Sequence, residues 1–356
     1  MLRQSLKTLI FTAIAAALPL GAQSMAEQTY KNITVLKGTP ADQLVPAMQF
    51  IAASLGVECA FCHVQGKPDA DDKPAKKTAR EMITMTLSIN KASFNGRLQV
   101  SCYSCHNGHE RPTAVPPVLE TDAPAHAEMP AAPAAAGAAP TADDILQKYV
   151  AGMGGADAIQ KITSRVMKGS IHAGGTDNPI EVFTKAPNKR ITITHSGNGE
   201  SFTAFDGTAG WMGNSGRPAR DMSAPESAAS SLDAEFYLAL RVKNMFQQVR
   251  RGRPETINGV ECETLNASAP GLPAVRLYFD KKSGLLQRMI RFADTPVGRN
   301  PTQIDYADYR EADGVKIPYR WTLSRPNGRF TIQIKDVQSN APVDDAKFAK
   351  SASDAK

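Results

Sequence analysis

Cysteine is scarce in this sequence. There are five in 356 residues, too few for a disulfide-built scaffold. Aromatic content is also low, at 6% with two tryptophans. No basic run is interleaved with aromatics, which excludes the common nucleic-acid-binding signatures. Neither sign of charge dominates: 41 Lys and Arg against 35 Asp and Glu leave +6, too little and too scattered to steer a polyanion. Beyond the N-terminus no stretch approaches eighteen consecutive apolar residues, so no transmembrane helix is expected in the mature chain. What is ample is apolar side chain: 42% hydrophobic content can bury a core and excludes global disorder. The length fits about two domains.

Arg3 and Lys7 precede an apolar stretch from Leu9 to Leu20, and Ser24-Met25-Ala26 places small residues at a cleavage site. This is the pattern of a cleavable export signal, expected over 1–26 and implying a periplasmic or otherwise exported protein. Between 111 and 140 the composition shifts to seven Pro and eleven Ala without apolar periodicity. Such a segment cannot offset the entropy of ordering its backbone and reads as a linker over 112–140. The chain then divides into a cysteine-bearing unit at 27–111, a larger unit at 141–350 and a tail at 351–356.

Four of the five cysteines stand in two strings, Cys59-Ala60-Phe61-Cys62-His63 and Cys102-Tyr103-Ser104-Cys105-His106. Both fit the c-type haem attachment signature. Two thiols three positions apart on a short helical turn can add to the two vinyl groups of one porphyrin, and the next residue offers its imidazole to the iron. Two covalently attached haems also explain how so short a unit builds a core. A zinc ribbon fits less well, since Cys62 and Cys102 are 40 positions apart where ribbons leave roughly 15–20 between pairs. Two disulfides would leave the paired histidines unexplained.

The sixth iron ligand separates electron transfer from catalysis. Within 27–111 the methionines are Met48, Met82 and Met85. Met48 shares helical spacing with Ile51, Ala52 and Leu55. Met82, Met85 and Ile89 share one face of a helix expected to start at the capping-box pair Thr78 and Glu81. A methionine at such spacing is ordinarily core, but His109, His126, His172 and His195 are poorly placed as ligands. By elimination Met48 and Met82 are the distal ligands, with Met85 as the alternative to Met82. One module is thus used twice: a Met-bearing helix, a loop, then C-x-x-C-H.

The runs MQFIAASLGVECAFCH and TAREMITMTLSINKASFNGRLQVSCYSCHNG resemble the cytochrome c subunit of photosynthetic reaction centres, especially its two-haem exported members, over residues 30–118. The resemblance implies a small α-helical dihaem cytochrome domain with Met-bearing helices, and it selects Met82 over Met85. Only two haem strings are present, and no histidine stands between Phe94 and Arg97 where the tetrahaem subunit has a ligand. Photosynthesis is therefore not implied.

In the second unit two short helices, 142–150 and 156–162, precede alternating segments at 165–172, 180–184, 190–195, 200–205, 275–279, 285–292, 302–309, 319–324 and 330–337, with an apolar helix at 232–245. An antiparallel β-rich domain, a curved sheet or half-barrel wrapped on helices, is expected. The order is similar in layout to periplasmic lipoprotein-carrier and outer-membrane lipoprotein-sorting domains, which implies a lipid or envelope surface as a partner. No catalytic set emerges. Cys262 reads as an inert buried thiol, His172 and His195 as solvent-facing residues without carboxylates at ligand spacing, Trp211 and Trp321 as core, and Val249–Pro254 as a solvated basic loop. The expected function is a dihaem electron carrier with two His/Met haems, passing electrons from a redox donor to an acceptor protein. The alternatives are a peroxidase-like haem enzyme with one labile sixth ligand and a lipid-binding envelope protein with a redox-active N-terminal domain.

Overall fold

The computed structural model describes residues 24–112, 139–326 and 328–350. Most of the expected export signal and linker, with His126 and the tail, lie outside the described residues.

In the N-terminal unit, α1 (Ala26–Thr29) is a single turn. The longer α2 (Ala41–Leu55) buries Leu44, Ala47, Phe50 and Ile51 along one stripe and ends at Gly56, whose φ of +66° forms a left-handed cap. A one-turn helix, α3 (Cys59–Cys62), carries the first cysteine pair. The longest, α4 (Pro74–Phe94), starts with Pro74 in its first turn, so Thr78 and Glu81 fall inside the helix instead of capping it. Proline fits that position because the missing N–H has no helical partner there. The second cysteine turn is α5 (Cys102–His106).

The C-terminal unit opens with α6 (Ala142–Met153), capped by the Thr141 hydroxyl, and α7 (Ala156–Lys161). A meander follows: β1 (Ser164–Ala173), β2 (Thr176–Lys185), β3 (Lys189–Ser196), β4 (Gly199–Phe205), β5 (Gly210–Asn214) and β6 (Arg217–Asp221). Two helices come next, α8 (Ala224–Ala234) and α9 (Leu238–Met245), where one helix over 232–245 was expected. The break lies at Glu235–Tyr237, where the Tyr237 N–H donates to the Glu235 carboxylate (3.2 Å) and the Phe236 N–H to the Pro187 carbonyl (3.0 Å). The remaining strands are β7 (Gln248–Arg251), β8 (Glu255–Ile257), β9 (Val260–Ser268), β10 (Ala274–Asp280), β11 (Leu286–Thr295), β12 (Gly298–Ala312), β13 (Val315–Arg325) and β14 (Gly328–Ser339).

These strands form one antiparallel sheet in the order β6-β5-β4-β3-β2-β1-β14-β13-β12-β11-β10-β9-β7, with β8 paired to β9. The expected antiparallel β-rich domain is therefore present. The sheet is strongly curled. On a flat sheet β3 and β13 would be about 19 Å apart at ~4.8 Å per strand, yet the Arg190 guanidinium of β3 lies 5.9 Å from the ring centroid of Trp321 on β13. Leu146 and Tyr149 of α6 and Val242 of α9 pack into the same core as Met289, Ile304 and Ile334 of the sheet. Elsewhere Phe348 covers Ile191, Ile193 and Trp211, and the indole N–H of Trp211 donates to the Phe348 carbonyl (2.8 Å).

The two units touch. At the tip of the β11–β12 hairpin Val297 is 1% exposed, buried in the N-terminal core with Leu44, Phe50, Ile51, Ile83 and Cys102. Burying a valine this fully is worth about 1.5–3 kcal/mol. The approach is close: a Cβ on Gly298 would stand 2.3 Å from Phe50 Cζ, so only glycine fits against that ring.

Candidate functional site

The first C-x-x-C-H turn closes one end of a cavity of about 450 Å³. Met48 of α2 lines it together with Cys59, Cys62 and His63, and Leu44, Ile51, Leu55 and Ile83 make most of the wall apolar. This volume suits a cofactor site. The helical spacing that singled out Met48 thus brings it to the same space as the first cysteine pair and its histidine.

The loop from His63 to α4 is tied down by basic side chains. Lys76, 8% exposed, donates to the carbonyls of Pro68 (2.9 Å) and Ala70 (2.8 Å) and pairs with Asp71 (3.0 Å). Arg80 also reaches Asp71 (2.9 Å) and the Asn32 carbonyl (3.1 Å), and Lys73 donates to the Ala60 carbonyl within α3. Hydrogen bonds from Arg80, Asn32 and Lys76 hold the Asp71 carboxyl well below the usual carboxylate range.

The second turn is positioned by α4 and α2. The Asn90 side chain, 2% exposed, donates to the Val100 carbonyl (2.6 Å) and accepts from the N–H groups of Gln99 (2.9 Å) and Val100 (3.0 Å), which fixes the chain just before Cys102. After His106 the Gly108 N–H donates to the Ser54 carbonyl near the end of α2 (2.9 Å). Here Gly56 permits the approach, since a Cβ on it would lie 2.1 Å from the Gly108 oxygen.

Both histidines are held alike. His63 Nδ1 lies 2.8 Å from the Pro68 carbonyl and His106 Nδ1 lies 2.9 Å from the His109 carbonyl. A carbonyl oxygen can only accept, so each Nδ1 carries a proton, and in the neutral ring Nε2 holds the lone pair. That is the tautomer, and the supporting hydrogen bond on the far nitrogen, expected of an iron-ligating histidine. In each cysteine pair one thiol is sheltered and the other more open: burial pushes the Cys62 and Cys102 thiols up, while Cys59 and Cys105 are exposed.

Met82 and Met85 are 37% and 45% exposed, and with Ile89 they form an uncovered apolar stripe on α4, next to the face that carries the buried Ile83, Thr86 and Asn90. Leu98 and Tyr103 are exposed as well. Exposed large apolar side chains of this kind are what a flat apolar prosthetic group would cover, although Met82, Met85 and Ile89 do not line the cavity at the first turn. The residues fit two c-type haems. They do not fit zinc or disulfides: among the described residues no three His, Cys, Asp or Glu gather as a metal site, and all five cysteines are free.

The other described residues add no second reactive cluster. Cys262 is fully buried with Ile257 and Tyr278, and burial pushes its thiol up. Trp211 is core and Trp321 is half-buried. Two expectations are corrected. His172 and His195 do have carboxylate partners, Asp177 at 3.0 Å and Glu200 at 2.9 Å, brought across from adjacent strands where sequence spacing does not show them. The basic stretch at Val249 lies partly in β7, where Arg251 pairs with Glu263 (2.8 Å), and is not a free loop.

Residues 6–167 match the family model for the photosynthetic reaction centre cytochrome C subunit. The chain is 33% identical over 113 residues to the photosynthetic reaction center cytochrome c subunit of Roseobacter denitrificans, covering 28% of this chain and 30% of that protein. To cytochrome c-554 of Chloroflexus aurantiacus it is 31% identical over 106 residues, covering 25% of each. The matched region thus spans less than a third of these curated relatives. Solved structures similar to this chain include a LolA superfamily protein from Nitrosomonas europaea (14% identity, 60% of this chain and 99% of that one, TM-score 0.42) and a DUF1329 family protein from Desulfovibrio piger (12%, 58% and 96%, TM-score 0.42). The N-terminal unit, with both C-x-x-C-H turns, is accordingly a cytochrome c-type domain similar to the photosynthetic reaction centre cytochrome c subunit.

Proposed function

We propose that this protein is an exported dihaem electron carrier, with one haem held by Cys59, Cys62, His63 and Met48 and the other by Cys102, Cys105, His106 and Met82. The observation that carries the reading is the shared state of the two histidines, each with Nδ1–H committed to a carbonyl and Nε2 free beside a cysteine turn. A bound c-type haem supplies a one-electron iron couple, and a thioether ligand favours its ferrous form relative to a second histidine.

The chain's own residues bind, orient and shelter. The cysteines fix each ring covalently, and Pro68 and His109 orient the imidazoles. Leu44, Ile51 and Ile83 exclude water from the first site. The Ser54–Gly108 hydrogen bond holds the second turn against the helix that carries Met48, so the two sites keep a set separation. Electrons pass from a redox donor to an acceptor protein.

Intact mass after expression with a cytochrome maturation system tests the count, two covalent haems being expected. Replacing Met48 or Met82 by Leu should each abolish the thioether–iron absorption band of one haem and lower its potential. The Met85→Leu variant should keep both bands. A band lost on Met85→Leu and kept on Met82→Leu would transfer the ligand role to Met85, and spectra unmoved by both Met48→Leu and Met82→Leu would favour the enzyme with an open iron. Lipid extraction from the whole protein tests the half-barrel as a lipid carrier, and an empty extract removes that role.

A further inference from the structure

The two histidine-holding carbonyls differ in one respect. The His109 oxygen accepts from His106 Nδ1 and from no other donor among the described residues, whereas the Pro68 oxygen accepts both from His63 Nδ1 (2.8 Å) and from the buried Lys76 ammonium (2.9 Å). Lys76 is fixed in this role. Its three N–H donors are matched by the Pro68 and Ala70 carbonyls and Asp71, and its side chain is only 10% exposed. We propose that Lys76 raises the potential of the haem bound at His63 by competing for the carbonyl that polarises its imidazole. This rests on the haem reading above.

The physical chain is short. A carbonyl that receives an Nδ1–H makes the imidazole a stronger donor at Nε2, and a stronger donor favours ferric iron. An ammonium on the same oxygen draws its electron density away, so the imidazole N–H is held less firmly and the ring donates less. The charge of Lys76 acts in the same direction. Asp71 offsets part of that charge but is shared with Arg80 (2.9 Å), so the three groups together retain one positive charge beside the first site. Nothing equivalent stands at the His109 carbonyl among the described residues. The first haem is therefore biased towards the reduced state by a feature the second lacks.

The test is spectroelectrochemical titration of the holo-cytochrome with Lys76→Met and Lys77→Met. The His63 haem is identified as the one displaced by Met48→Leu. Lys77 is exposed and makes no bond to Pro68, so its variant reports charge removal alone. Lys76→Met should shift the His63 haem about tenfold towards its oxidised form, ~59 mV for one electron, and leave the His106 haem in place. The Lys77→Met variant should shift neither haem by more than about threefold, under half of that interval. In the reduced protein the His63 Nδ1 proton resonance should move downfield in Lys76→Met, as its hydrogen bond strengthens.

A purely structural pin predicts the opposite sign. Loosening the loop would weaken the His63–Pro68 bond and raise the potential. An upward shift, no shift, or equal shifts in the two variants overturns the proposal. If Lys76→Met fails to retain haem, Asp71→Asn decides: freeing Lys76 from its carboxylate must raise the His63 haem potential, and a fall overturns it. Absence of covalent haem at Cys59 and Cys62 in the unaltered protein would instead overturn the haem reading itself.

Discussion

Replacing Gly56 by alanine should destabilise the N-terminal unit by about 1.5–3.5 kcal/mol, against about 1–2 kcal/mol for the same change at Gly108. Both glycines have positive φ, +66° and +85°, so each substitution forces a Cβ into the left-handed region, which costs about 1–2 kcal/mol. At Gly108 the added carbon meets nothing within 4 Å, whereas at Gly56 it would stand 2.1 Å from the Gly108 carbonyl oxygen. The turn after His106 must then retreat by about 1.3 Å to regain an ordinary contact of ~3.4 Å. That retreat strains the Gly108–Ser54 hydrogen bond of 2.9 Å, a further loss of about 0.5–1.5 kcal/mol. Urea unfolding of the haem-loaded protein followed by circular dichroism measures the difference. With a slope of roughly 2 kcal/mol per molar, the Gly56→Ala midpoint should fall about 0.5 M below that of Gly108→Ala. Equal midpoints would show that the close approach of the two modules contributes nothing.

Val297→Asp should release the β11–β12 hairpin from the N-terminal core, since it removes about 1.5–3 kcal/mol of apolar burial and places a carboxylate there. Amide exchange in α2 and around Thr295 should accelerate while the sheet stays protected, and unchanged exchange would refute the docking. The Asp71 carboxyl, held low by Arg80, Asn32 and Lys76, stabilises the loop above the ordinary carboxylate pKa of about 4 and loses that contribution as pH falls from there towards its folded value. Acid titration of stability should therefore slope downward below about pH 4 in the unaltered protein and slope less in Asp71→Asn; identical slopes would remove Asp71 from the account. Ala26 is 0% exposed and its N–H donates to the Thr39 carbonyl (2.7 Å). These contacts speak against the cleavage after Ala26 expected from the sequence: the mature exported chain should retain Ala26, and N-terminal sequencing that begins at Glu27 would refute this.

What was legible in the sequence was local. Each C-x-x-C-H string is contiguous, whereas Met48 and Met82 come by elimination among three methionines, with the family resemblance choosing Met82 over Met85, so the candidate ligands needed no tertiary information. The longer strands β1 to β4 and β10 to β14 alternate clearly enough to be read. β5 (GWMGN) and β6 (RPARD) do not, because glycine, proline and charge obscure a two-residue period on short edge segments. The segment over 232–245 is apolar at nine of its fourteen positions, and the turn that divides it depends on a carbonyl from Pro187, far away in sequence. Lys76 looked like one more lysine at a helix start. Its importance comes from a loop that folds back over it, and nothing in its neighbours along the chain reports that.

The hairpin that carries Val297 also bears on the order of events in the protein's formation. Both cysteine strings precede it by a long stretch of chain, so a polypeptide emerging N-terminus first displays its haem-attachment sites before the residue that closes the core around Cys102 exists. That contact has high sequence separation and forms late, after the strands that present it have paired. Chain order therefore leaves an interval in which the Cys102 thiol is open to modification before the core around it is complete, whereas Cys105 stays exposed in the folded protein. Through Val297 the large C-terminal domain is thus a late contributor to the small domain's core as well as its neighbour.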